Sequence, residues 1–125
     1  MVPNVFRISF IADITHQGGV GRLLSDEAHE LGIVLHRHDT NTGESFTETR
    51  TGLDHVWFVL SDRADLEEWQ RRLEDQGVMR AEAADRPLTQ SPIADESYGS
   101  VLVFRDPDNI QLELYAPREG GGVAP

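Results

Sequence analysis

The chain contains no cysteine and no lysine; every one of its eleven basic residues is arginine. Without cysteine there is no thiolate nucleophile, no disulfide and no Cys-ligated zinc or iron–sulfur centre. Without lysine there is no Schiff-base chemistry and no phosphate-loop lysine. The stretch "QGGVGRLL" (17–24) lacks that lysine and the GxGxxG spacing, and reads as a turn. No GxSxG elbow and no HExxH motif occurs. No apolar run approaches membrane-spanning length. The N-terminus lacks the basic start and continuous apolar stretch of a secretory signal, so a cytoplasmic location is the expectation.

Positive charge is also scarce. The formal net charge is −11. Phosphate binding needs a basic footprint, so nucleic acid and anionic membranes are not expected partners. A small molecule or a metal cation fits better, although acidity alone also serves solubility. At 125 residues and 38% hydrophobic, the chain is long enough for one soluble structural domain with a single core. The side chains left for chemistry are His, Asp, Glu, Tyr, Ser and Arg.

The clearest helix is "SDRADLEEWQRRLEDQGV" (61–78), with Leu66, Trp69 and Leu73 on one stripe. Ser61 or Asp62 can cap its start, and Gly77 suits its C-terminal end. Glu67–Arg71 and Glu68–Arg72 are i,i+4 pairs on a solvated face. "LDHVWFVL" (53–60) reads as a strand apolar on both faces. Leu53, His55, Trp57 and Val59 share one face; Val56, Phe58 and Leu60 share the other. Such a strand is expected to be covered on both sides. "YGSVLVFRDPDNIQLELYAP" (98–117) reads as a hairpin turning at "DPDN", with Gln111, Glu113 and Tyr115 on one face of its second strand. Residues 80–99 form a long loop.

The N-terminal third alternates like strands at "NVFRISFIADI" and "LGIVLHRHDT". "RLLSDEAHEL" between them permits a short helix or the end of a strand followed by a turn; strand–turn–strand is preferred. Residues 38–52 form a polar connector. His16 and His29 fall in turns and receive no role.

Residues 52–117 resemble one βαβββ module of the vicinal oxygen chelate superfamily, the glyoxalase, bleomycin-resistance and extradiol-dioxygenase relatives. "TGLDHVWFVLSD" resembles the opening strand with its ligand histidine. "DLEEWQRRLEDQGV" resembles the helix that follows. The hairpin resembles the closing pair, whose usual form has DPDG before the last strand and a glutamate on it. Asn109 stands where that glycine is common.

The resemblance implies an α+β fold of βαβββ modules. Residues 1–51 would be a partial first module, mainly strands, whose opening strand and helix have no counterpart. Residues 52–117 would be a complete module and 118–125 a flexible tail. It further implies that His55 and Glu113 bind a divalent metal (Fe, Mn, Ni, Zn or Co), with Glu113 also the catalytic base. His36 and His38 are candidates for a further ligand. Trp57, Tyr115 and Tyr98 are candidate substrate contacts. The implied chemistry is lyase, isomerase or ring-cleaving dioxygenase action on a small molecule with adjacent oxygens. A metal-free small-molecule-binding protein of the bleomycin-resistance type, or an inactive truncated member, are the alternatives. A homodimer is expected, with domain swapping as one form of it.

Read from the residues alone, these positions have ordinary explanations. A histidine in an apolar strand is often structural. Glu113 is the polar face of an amphipathic strand, and the aromatics pack as readily as they bind.

Overall fold

The computed structural model describes residues 7–118. Most of the tail expected at 118–125 lies outside them. The chain divides between Glu44 and Ser45 into two compact units.

The N-terminal unit holds β1 (Ser9–His16), β2 (Gly19–Ser25) and β3 (Gly32–His38), an antiparallel sheet in the order β1-β2-β3. The strand–turn–strand reading of "RLLSDEAHEL" is the one adopted. The reason is local: the Asp26 side chain accepts the Leu31 N–H at 2.9 Å, and the Asp26 N–H donates to the Leu31 carbonyl at 3.2 Å. This Asx-type bonding competes with a helix. "QGGVGRLL" is not a turn throughout. Only Gln17 and Gly18 turn, with Gly18 at φ +87°, and Gly19 begins β2. His16 is likewise the last residue of β1 rather than part of the turn. Arg22 sits opposite Asp13 and donates to both of its carboxylate oxygens, at 2.9 and 3.2 Å.

The C-terminal unit holds β4 (Val56–Val59), α1 (Arg63–Asp75), β5 (Met79–Arg80), β6 (Thr89–Gln90), β7 (Ala94–Glu96), β8 (Gly99–Arg105) and β9 (Gln111–Pro117). The sheet order is β4-β9-β8-β6-β5, with β7 paired to β8. β4 runs parallel to β9, and β8 and β9 form the antiparallel hairpin. Asp62 caps α1 by accepting the Asp65 N–H at 2.9 Å, and Gly77 follows the helix at φ +92°. The hairpin turns as the sequence implies: Asp106 Oδ1 accepts from Asp108 N and Ile110 N, and Asn109 takes φ +70°.

The helix packs on β8 and β9. Leu66 and Leu73 from α1 are buried with Leu102, Phe104 and Leu114 from the sheet. Leu102 pairs with Leu114 and Phe104 with Leu112, so these residues share one face. Phe58 lies opposite Leu114 and extends that face to β4. This core holds the sheet so that Glu113 and Trp57 project from its other side.

Two expectations need correction. β4 is only Val56–Val59, and Trp57 and Val59 are 44% and 50% exposed, so the strand is not covered on both faces. The long loop at 80–99 starts on the last residue of β5 and contains the two short strands β6 and β7. They are anchored by side chains a pattern reading does not see: Gln90 Nε2 donates to the carbonyls of Gln70 and Val78, and Arg105 Nε donates to that of Ala84.

Candidate metal and ligand site

His55 directly precedes β4, and Glu113 sits on β9. Trp57 is the register partner of Glu113, and His55 is two residues before Trp57. His55, Trp57 and Glu113 therefore share a face. The His55 Nε2 atom stands 3.9 Å from Glu113 Oε2, with both side chains partly exposed. The other ring nitrogen is engaged. Asp54 Oδ1 lies 2.6 Å from His55 Nδ1. A carboxylate only accepts, so Nδ1 donates to Asp54; in the neutral ring the lone pair then lies on Nε2, the nitrogen nearer Glu113. Gln111 Nε2 reaches Asp54 Oδ1 at 3.5 Å.

This donor set fits a divalent ion. A neutral imidazole and a carboxylate facing one another, with the imidazole oriented by a second carboxylate, are what Zn, Mn, Fe, Ni or Co sites use. Tetrahedral ligation by these atoms needs about 3.3 Å between donors, so a side-chain shift of roughly half an ångström would close the pair. His36 and His38 lie in the N-terminal unit, where they cluster with His16. Among the described residues, no group of three or more His, Asp or Glu side chains is arranged to hold a metal ion as it stands.

The aromatic candidates divide by environment. Trp57 is exposed and meets the Tyr115 ring edge-on at 5.3 Å. Tyr115 is buried, and its hydroxyl donates to the Tyr98 carbonyl at 2.9 Å. That hydroxyl is already satisfied, so Tyr115 forms a wall under Trp57. Tyr98 is exposed, with its ring 6.1 Å from that of Tyr115. Asp54 is the residue that sequence reasoning missed; its adjacency to His55 was the available signal.

An open cleft of about 850 Å³ lies elsewhere in this unit, at the start of α1. Asp62, Arg63, Asp95, Ser100 and Arg118 are among its lining residues, whereas His55 and Glu113 are not. Arg63 is held there by Asp95, through contacts of 2.7 and 3.0 Å, and by Glu67 at 2.6 Å. The Arg63 guanidinium, with the Ser100 hydroxyl, holds the Asp95 carboxyl down to about 2. With Arg63 and Asp95 paired to each other, the centre of the cleft shows less free chemistry than the His55 face.

No helix among the described residues is long and apolar enough to cross a membrane. Comparison with curated proteins gave no match. Comparison with solved structures finds the same fold repeatedly. A glyoxylase/bleomycin resistance protein/dioxygenase domain from Frankia sp. EAN1pec matches with 29% identity and a TM-score of 0.76, over 94% of this chain and 78% of that one. The genomically encoded fosfomycin resistance protein FosX from Listeria monocytogenes matches at 18% identity and TM-score 0.59, over 92% and 77%. A bleomycin-binding protein complexed with bleomycin matches at 17% identity and TM-score 0.56, over 89% and 80%. The model of one family matches residues 6–114, nearly the whole described chain. On that match, and with the α+β fold to support it, the chain belongs to the glyoxalase/bleomycin resistance protein/dioxygenase superfamily.

Proposed function

We propose that the chain is a divalent-metal-dependent enzyme acting on a small molecule that presents two adjacent oxygens. The observation that carries this reading is His55 Nε2 facing Glu113 Oε2 at 3.9 Å while Asp54 holds Nδ1. His55 and Glu113 would hold the ion. The chemistry such an ion supplies is Lewis-acid polarisation of the paired oxygens, common to lyase, isomerase and ring-cleaving dioxygenase reactions. Glu113 would bind through one carboxylate oxygen and leave the other to take a proton from a carbon beside those oxygens. Trp57 would form the wall of the substrate site, resting on Tyr115, with Tyr98 at its margin. A Listeria monocytogenes FosX variant of the same fold was solved with Mn(II) and a dihydroxypropylphosphonic acid, which keeps metal chemistry within the range of this scaffold.

A homodimer belongs to this reading. Phe10, Ile14 and Val34 on the N-terminal sheet, and Val56, Trp57 and Val59 on β4, are exposed apolar side chains. A second copy covering them would supply donors beyond the pair each chain holds.

The test is metal content per chain on tag-free protein, with His55→Ala beside it. Near-stoichiometric metal that falls in the variant supports the reading; no uptake from any of several divalent ions overturns it. The second reading, a metal-free small-molecule-binding protein, is favoured by the exposed Trp57 on its aromatic support. Ligand binding that survives a chelator and is lost in Trp57→Ala would select it.

A further inference from the structure

The N-terminal sheet carries a second set of imidazoles that this function does not use. His16 on β1 pairs with Gly19 on β2, which pairs in turn with His38 on β3. One step along, Ile14, Gly21 and His36 form the next such row. Cross-strand partners project from the same face of a sheet, and His36 and His38 are i,i+2 neighbours. All three histidines therefore stand on one face, at the end of the sheet where β1 turns into β2.

The middle strand makes room for them. A methyl group on Gly21 would lie 2.8 Å from His36 Cε1, and one on Gly19 would lie 3.0 Å from His16 Cε1. A side chain at Gly21 would push the His36 ring outward, while one at Gly19 would first collide with the Arg37 carbonyl oxygen and then crowd His16. The two glycines form a floor on which the imidazoles meet. Ring centroids are 5.2 Å apart for His16–His36, 5.6 Å for His16–His38 and 5.9 Å for His36–His38. The nearest nitrogens, His36 Nδ1 and His16 Nε2, are 3.2 Å apart.

The His16–His36 distances are those of two ligands around one small ion. A metal–nitrogen bond of about 2.0–2.1 Å puts two tetrahedral imidazole donors about 3.3 Å apart and their ring centroids about 5.2 Å apart. His16 and His36 already meet both values, through a nitrogen pair at hydrogen-bond distance. His38, with its ring 5.6 and 5.9 Å from the other two, stands wider than that geometry; it is exposed, and a turn of its ring would be needed to close the set.

We propose that His16, His36 and His38 form a three-histidine binding site for a divalent transition-metal ion, built entirely within the N-terminal sheet. All-imidazole donors suit Zn, Co, Ni or Cu rather than Mg or Ca. Three protein ligands leave a fourth position open to water or a small anion. The formal charge of −11 draws cations to the chain. The site differs in residues and in strands from the His55–Glu113 pair.

The test uses the tag-free full chain carrying His55→Ala and Glu113→Gln, which removes that pair. Equilibrium dialysis against Co²⁺ and Zn²⁺ should show one ion per chain. Adding His16→Gln and His38→Gln should weaken binding at least about tenfold, the scale on which even supporting contacts to metal ligands act. Adding His29→Gln instead should change nothing, since His29 stands in the turn after β2. Circular dichroism on each variant separates lost ligation from lost fold. If the quadruple variant unfolds, imidazole proton resonances of the parent chain decide: Co²⁺ should shift three histidines and spare His29. No uptake by the His55→Ala/Glu113→Gln chain, equal affinity without His16 and His38, or no shift in those resonances would each overturn the proposal.

Discussion

Asp54 Oδ1 lies 2.6 Å from His55 Nδ1, and the opposite nitrogen of the same ring looks at Glu113. The carboxylate fixes both the tautomer and the ring's direction. Asp54→Ala should therefore weaken metal binding by roughly 10- to 100-fold while leaving the melting temperature almost unchanged, because Asp54 is exposed. Isothermal titration with Zn²⁺ or Mn²⁺ beside a thermal melt checks both halves. An equal loss of fold and affinity would assign Asp54 a structural role instead.

Arg105 ties three segments together. Its side chain is 7% exposed and donates to Glu48 Oε1 and Oε2, the carbonyls of Ala84 and Asn109, and Gln111 Oε1. Arg105→Ala leaves those acceptors without their donor and should cost about 3 kcal/mol. Urea unfolding of the variant measures this directly. A loss below about 1 kcal/mol would mean that water replaces the guanidinium.

Stability should fall in acid over a defined window. The Arg105 guanidinium, with a backbone N–H, holds the Glu48 carboxyl at about 2, below its ordinary 4.5. Arg63 and Ser100 hold Asp95 at about 2, below 3.8. A carboxylate with a depressed folded-state value stabilises the fold above its unfolded value and loses that contribution as pH falls. The loss therefore runs from about pH 4.5 down to about 2. Burial raises Asp106, which works in the opposite sense by favouring its protonated form. Melting temperatures from pH 6 to pH 2 should decline less steeply in Glu48→Gln than in the parent.

Gly99 stands at φ +153°, and a side chain there would collide with the Ala116 carbonyl oxygen and lie 2.6 Å from the Tyr115 ring. Neither the backbone oxygen nor the buried ring can move away cheaply. Gly99→Ala should cost at least about 2 kcal/mol and disturb Tyr115 and Trp57 above it. Denaturant melts and the near-ultraviolet circular dichroism of the aromatics would report both effects.

Much of the C-terminal unit was legible in the residue pattern. Leu66 and Leu73 recur at helical spacing, Asp62 and Gly77 bracket the helix, and Asp106–Asn109 carry turn chemistry, all of which are local signals. His55 and Glu113 were singled out through the same order of elements. Other features were illegible for a physical reason: they depend on contacts between residues distant in sequence. The short strands within 80–99 form because Gln90 and Arg105 supply hydrogen bonds across the fold. No alternation marks them, since two- and three-residue strands are too short to show a period.

The sequence by itself determined the helix, the closing hairpin and the acidic, cysteine-free chemistry, because each rests on local spacing or composition; the order of these elements carried the resemblance to the family. Only the tertiary structure decided which side chains meet. It put Asp54 behind His55 and Glu113 before it, and left Trp57 exposed where the strand pattern implied cover. It also gathered His16, His36 and His38 over Gly19 and Gly21. Strand register brings together residues twenty or more positions apart, and register follows from the turns and the packed core rather than from any one strand's sequence.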